Sequence, residues 1–183
     1  RLRGASDDVL TDFVIQAVRA DATAEALLDR ACELNLPDWY LAAGAVYQNV
    51  WNALTGRAPG YGIKDYDLAY FDGEDLRYEG EDQVIARCMA RFSDLAVDVE
   101  VRNQARVHLW FGAKFGVTRP PFGSTEEAIA AYASPAHMLG VRKLVHGQYQ
   151  VCAPAGFDAV FDLRVTPVKD HADPEGFALK LKR

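Results

Sequence analysis

Asp65 and Asp67 stand two positions apart in the run Lys64-Asp65-Tyr66-Asp67-Leu68-Ala69-Tyr70-Phe71. On a strand that spacing puts both carboxylates on one face, with Cβ atoms about 7 Å apart. Two anions do not enter an apolar core without a large cost, so the pair either faces water or binds a cation. Asp98 and Glu100 repeat the pattern further along, opposite Val97, Val99 and Val101. If the two strands lie side by side, three or four carboxylates converge, and like charges that close raise one another's pKa. A divalent cation removes the penalty. Oxygen donors of this kind suit Mg²⁺, with Mn²⁺ as the alternative ion. Two such ions can activate an attacking oxygen and stabilise a leaving one. Gly44 supplies a third feature. It follows a short apolar run and opens a stretch with helical spacing. A helix N-terminus presents unpaired N–H groups and partial positive charge, and glycine lets a phosphate come close to the backbone. A phosphate cradle followed by metal-binding carboxylates is what chemistry on a nucleoside triphosphate needs. Taken singly, each feature is equally a solvated strand face or a structural turn. Their order on adjacent elements gives the functional reading its weight.

The elements that must hold these residues can be read from periodicity. Ser6, followed by Asp7 and Asp8, starts a helix through Val9, Leu10, Phe13, Val14, Ala17 and Val18. A second helix runs from about Thr23 to Leu34 and is broken by Asn35-Leu36-Pro37-Asp38. Trp39 to Ala42 reads as a strand, and Val46, Val50, Trp51 and Leu54 as the helix after Gly44. The glycine-rich stretch from Thr55 to Gly62 is a loop. A strand from Asp65 to Phe71, an acidic turn over 72–75, and a helix through Val84, Ile85, Cys88, Met89 and Phe92 follow. Leu95 to Val101 alternates as a strand. Asn103 to Phe115 fits a helix or a strand, with the helix favoured. Ser124-Thr125-Glu126-Glu127 is a capping box ahead of another helix. Tyr149 to Cys152 is a late strand. The sum is an α/β (α+β) domain with a sheet flanked by helices. It forms one unit over 1–168, with N-terminal helices within 1–36 and a catalytic-type core over 37–168. A polar tail, 169–183, completes the chain.

The chain has 183 residues, 50% of them hydrophobic, which excludes a disordered polymer and allows a core without disulfide or metal staples. A net charge of −6 argues against broad electrostatic binding of nucleic acid, DNA above all. Cys32, Cys88 and Cys152 are too dispersed for a disulfide framework and read as reduced thiols of a cytoplasmic protein. No apolar run reaches the ~18–20 residues that span a bilayer. The serines lack the Gly-x-Ser-x-Gly setting of a hydrolase nucleophile, and the Walker A signature is absent.

Three segments together resemble a nucleotidyltransferase-like family of bacterial and fungal proteins within the polymerase-β-like nucleotidyltransferase superfamily. They are Ala42-Ala43-Gly44-Ala45-Val46, Lys64 to Asp72, and Val99-Glu100-Val101-Arg102-Asn103-Gln104-Ala105-Arg106-Val107-His108-Leu109-Trp110. Ala153 to Asp158 and Arg164-Val165-Thr166-Pro167 extend the likeness, which covers roughly Pro37 to Pro167. The resemblance implies a mixed sheet flanked by helices and Mg²⁺-dependent transfer of a nucleoside monophosphate from an NTP. It implies Asp65 and Asp67 as the first two metal carboxylates and Glu100, or Asp98, as the third. It also implies that the glycine-rich loop from Thr55 to Gly62 is an insertion over the site. Gly44 matches the first position of the superfamily's Gly-Gly or Gly-Ser turn. Ala45 then stands where Gly or Ser is usual, without a hydroxyl to donate.

Asn103, Arg106 and His108 follow the third carboxylate and could read a base or bind phosphate, or instead satisfy backbone groups inside the fold. Arg142 with Lys143 could neutralise phosphate or form a solvated surface. Trp110 and Phe111 could stack on a base or pack in the core. The acceptor is open between a small molecule, a protein and RNA. The alternative function is a nucleotide-binding module without catalysis, or a scaffold on the same fold.

Overall fold

The computed structural model describes residues 4–168; the expected polar tail lies outside them. Two helices come first, α1 (Asp7–Ala20) and α2 (Ala22–Leu34), joined by Asp21 alone. Asp21 caps α2 by accepting from Thr23 N at 3.0 Å, and Asn35 closes that helix in the left-handed conformation. There follow β1 (Tyr40–Ala42), α3 (Gly44–Thr55), β2 (Asp65–Tyr70), α4 (Tyr78–Phe92), β3 (Asp98–Asn103) and, after one 3-10 turn (Gln104–Arg106), α5 (Val107–Phe115). The chain continues through α6 (Thr125–Ala130), a second 3-10 turn (Pro135–His137), β4 (Gly140–Lys143), β5 (Tyr149–Cys152) and α7 (Asp158–Phe161). No helix among the described residues is long and apolar enough to cross a membrane.

The five strands form one mixed sheet in the order β3-β2-β1-β4-β5. β2 and β3 are parallel, with α4 as the crossover, and the other pairings are antiparallel. Alternation along the strands sends Leu41, Tyr66, Leu68, Tyr70, Val101 and Val141 into the main core beneath α1 to α4. On the opposite face Tyr40, Ala42 and Cys152 meet Ile129 and Met138 in a smaller cluster. Gly140 lies in that second layer. A Cβ there would come 2.8 Å from Ile129 Cδ1 and 3.2 Å from Tyr40, so glycine is what lets α6 lie close to the sheet. The Ser124 half of the capping box at α6 forms as expected, with Ser124 Oγ accepting from Glu127 N at 3.0 Å, while Glu127 turns back one residue further, to Gly123 N at 2.6 Å.

Three expectations change. The third strand starts at Asp98 rather than Leu95, although its parity is the one expected. β4 was not anticipated, because Gly140 and two adjacent cations mask its alternation. Its cations point to opposite faces and are both answered. Arg142 pairs with Asp38 at 3.2 Å, and Lys143 with Asp29 and, at 3.7 Å, with Glu25. The glycine-rich loop does not stand as a loose insertion. Asn49 accepts from Gly60 N at 2.8 Å and Asn52 donates to Tyr61 O at 2.9 Å, so α3 holds the loop against itself.

Candidate active site

The parallel pairing of β2 with β3 sets Asp65 opposite Asp98 and Asp67 opposite Glu100. Four carboxylates thus occupy a two-by-two block of one sheet face, on strands about 4.8 Å apart. Asp65, Asp98 and Glu100 are exposed, and Asp67 is half-buried. Glu100 forms an ion pair with Arg102, two residues on along the same face, at 3.2 Å. In this arrangement no three His, Cys, Asp or Glu side chains among the described residues form a cluster that could hold a metal ion. The donors nevertheless have the right chemistry. They are hard carboxylate oxygens on adjacent strands, and Arg102 is paired with one of them.

Their field reaches two tyrosines. The Tyr47 hydroxyl is pushed up by burial and then by Asp67 and Asp65. The Tyr132 hydroxyl is pushed up by burial and then by Asp67, Cys152 and Glu100. Both ionise less readily first because burial disfavours the phenolate and then because a negative charge beside the carboxylates costs energy. Tyr47 also stacks on His137, with centroids 4.7 Å apart. Neither tyrosine carries a sequence signal, since Tyr47 merely continues a helix and Tyr132 lies 32 residues beyond Glu100.

The register Ala42 to Asp67 brings the end of β1 beside the aspartates, and α3 begins there. No side chain caps α3. The turn forms, but its unusual conformation falls one residue earlier than expected. Ala43, not Gly44, takes the unusual conformation, with φ 51° and ψ −123°. That is the first central position of a type II′ turn, where glycine is the favoured residue. The conformation is held by Ala43 N donating to Leu139 O at 3.1 Å, and by the Ala43 carbonyl accepting from Val46 and Tyr47 N. Gly44 itself has open space where a Cβ would stand. The Ala45 methyl is fully buried in the main core. Its side chain is therefore withdrawn from the nucleotide-binding role expected of it, which leaves only its backbone.

The structure also reassigns the polar residues after Glu100. Asn103 faces the core at 2% exposure, and both ends of its amide are engaged. It donates to Asp72 O at 2.9 Å and accepts from Asp72 N at 3.0 Å and Ala105 N at 3.1 Å. Arg106 is buried against Glu81, donates to Leu76 O at 3.0 Å and lies over the Tyr78 ring. Glu81, itself buried, also accepts from Asn103 N at 2.8 Å. Asn103 and Arg106 hold the far ends of β2 and β3 together and present nothing to a nucleotide. His108 is half-buried, and its Nδ1 is buried without a hydrogen-bond partner among the described residues.

A brace behind the aspartates was not visible in the sequence. Asp21 is 5% exposed and accepts from Tyr66 Oη at 2.8 Å and Asn49 Nδ2 at 3.0 Å. Tyr66 sits between Asp65 and Asp67 and points to the opposite face. Its bond to Asp21 fixes the rotation of the strand that carries both carboxylates.

Comparison with known proteins agrees with this architecture. A solved NMR structure described as a CCA-adding enzyme head domain superposes with a TM-score of 0.71 at 22% identity, covering 92% of this chain and 84% of that one. At that identity the likeness speaks for the fold. No curated protein matches the chain. The family model for nucleotidyltransferases matches residues 29–183, most of the chain and all of the strands just described. The chain belongs to the nucleotidyltransferase family.

Proposed function

We propose that the protein transfers a nucleoside monophosphate from an NTP to an acceptor oxygen, releasing pyrophosphate. The observation that carries this reading is the register of Asp65 and Asp67 with Asp98 and Glu100, beside the uncapped N-terminus of α3. The first N–H groups of α3 hold phosphate oxygens, and the open space at Gly44 admits them to the backbone. Asp65, Asp67 and Glu100, with Asp98 alongside, are the residues that would hold Mg²⁺ or Mn²⁺. Such an ion supplies charge neutralisation for the triphosphate. The acceptor oxygen attacks the α-phosphorus in line, the bond to the β-phosphate oxygen breaks, and Glu100 takes the acceptor proton.

The Glu100–Arg102 ion pair favours a second reading, in which NTP is bound but not turned over. One set of measurements separates the two. Thermal unfolding is followed with each of the four NTPs, with and without Mg²⁺, alongside pyrophosphate release. A ligand that binds only the folded state stabilises it by about 2.7 kcal/mol at a hundredfold excess over Kd. The transferase reading expects a Mg²⁺-dependent shift and release of pyrophosphate, both lost in Asp65→Asn/Asp67→Asn. A shift without release, over a broad acceptor screen, establishes the binding module. The absence of any shift at millimolar NTP refutes both.

A further inference from the structure

Helix α5 is apolar without being buried. Of its nine residues only Val107 is buried, while Leu109 is 54% and Trp110 36% exposed. Trp110, Phe111 and Phe115 form a chain of ring contacts, with centroids 6.1 and 4.7 Å apart. Two cations are threaded through it. Lys114 Nζ lies 5.5 Å from the Trp110 ring and 5.3 Å from Phe115. The Arg119 guanidinium lies 4.5 Å from Phe111 and 4.2 Å from Phe122. Several cations elsewhere are answered by acids: Arg102 by Glu100, Arg106 by Glu81, Arg142 by Asp38, Lys143 by Asp29. Among the described residues Lys114 and Arg119 have no carboxylate partner, and Arg119 Nε has no hydrogen-bond partner at all. From Val101 to Thr125 there is no aspartate or glutamate.

One exposed and three half-buried rings interleaved with cations that no carboxylate answers complement a strand whose bases stack and whose phosphates carry charge. An apolar peptide would cover the rings and leave the two cations unmet. A duplex keeps its bases stacked within itself and offers none of them to the rings. Unpaired RNA offers splayed bases of the kind that aromatic side chains and guanidinium planes accept. The segment is also joined in the chain to both sides of the carboxylate face. It leaves the sheet from β3 just after Glu100 and returns through α6 to Tyr132, whose hydroxyl feels Asp67 and Glu100.

We propose that the α5 surface, with Trp110, Lys114 and Arg119 at its centre, docks an unpaired RNA strand and so presents RNA as the acceptor. The acceptor assignment rests on the transferase reading; the docking surface does not. The test is fluorescence anisotropy of a labelled single-stranded oligoribonucleotide of about ten nucleotides, at low salt and without NTP. Binding is expected to weaken about tenfold in Trp110→Ala and to recover in Trp110→Phe. Lys114→Ala is expected to weaken it several-fold and flatten its salt dependence. Three results overturn the docking surface: no binding at low salt, equal binding by Trp110→Ala, or equal or tighter binding of the duplex or the matching deoxyribo-oligonucleotide.

Separate readouts keep the two readings apart. Trp110→Ala should retain the NTP-dependent thermal shift, and Asp65→Asn/Asp67→Asn should retain oligonucleotide binding. Label from an α-³²P NTP is expected to enter the bound oligonucleotide. RNA that binds but gains no label from any of the four NTPs refutes RNA as acceptor.

Discussion

Ala43→Gly tests the turn that opens α3. Ala43 holds φ 51° and ψ −123°, a conformation that a Cβ-bearing residue keeps only at a cost of about 1–3 kcal/mol. Glycine adopts it freely. Against that gain stands the greater freedom of glycine in the unfolded chain, worth about 0.4–1 kcal/mol. No side-chain contact of consequence is lost, since the change removes one methyl group. The difference predicts a net stabilisation of about 1 kcal/mol. For a chain of this size that raises Tm by roughly 2–4 °C. Urea unfolding followed by circular dichroism measures the free energy, and an unchanged m-value shows that the same two states are compared. Ala43→Val serves as the reverse arm and should lose well over 1 kcal/mol, because a β-branched residue tolerates positive φ least. Destabilisation of Ala43→Gly by about half a kcal/mol or more would refute the reasoning. It would mean that the turn carries no strain and that glycine brings only its entropy.

Three further outcomes follow from the packing. Tyr66→Phe removes one hydrogen bond to the buried Asp21 carboxylate and should cost about 1.5–3 kcal/mol in urea unfolding, with NTP affinity falling as well. Gly140→Ala drives a methyl group against Ile129 Cδ1 and should cost about 1–3 kcal/mol; adding Ile129→Val, which deletes that atom, should recover part of the loss. The Cys88 thiol is pushed up to about 11 by burial, opposed only by nearby Arg87. The unfolded chain therefore gives up the thiol proton first, near pH 9, and folded-state stability falls between about pH 9 and 11. Cys88→Ala is less stable at neutral pH but should lose on the order of 2 kcal/mol less across that window, and equal alkaline slopes in the two proteins would refute the assignment.

Much of the site could be read from local pattern because its geometry is local. Two-residue spacing fixed the shared face of Asp65 with Asp67 and of Asp98 with Glu100. A glycine after a short apolar strand placed the start of α3. Ser124 and Glu127 marked α6 by a rule that spans only three residues. What escaped depends on partners distant in sequence. Asn103 and Arg106 look like ligands until Asp72 and Glu81, 31 and 25 residues earlier, take up their hydrogen-bonding groups. Arg142 and Lys143 hide a strand because their acids sit on or just after the second helix. The strain at Ala43 has no signature, since an alanine before a glycine announces no positive φ.

The family likeness begins at residue 29, within α2, yet Asp21 lies upstream of it. The carboxylate strand is therefore anchored by a residue outside the segment that family resemblance recognises. Domain boundaries drawn from that likeness would excise the anchor while keeping every residue that looks catalytic. The N-terminal helix pair thus contributes a contact that the carboxylate strand uses. A relative that shares the Asp-x-Asp strand but replaces this helical start must secure its own strand by other means.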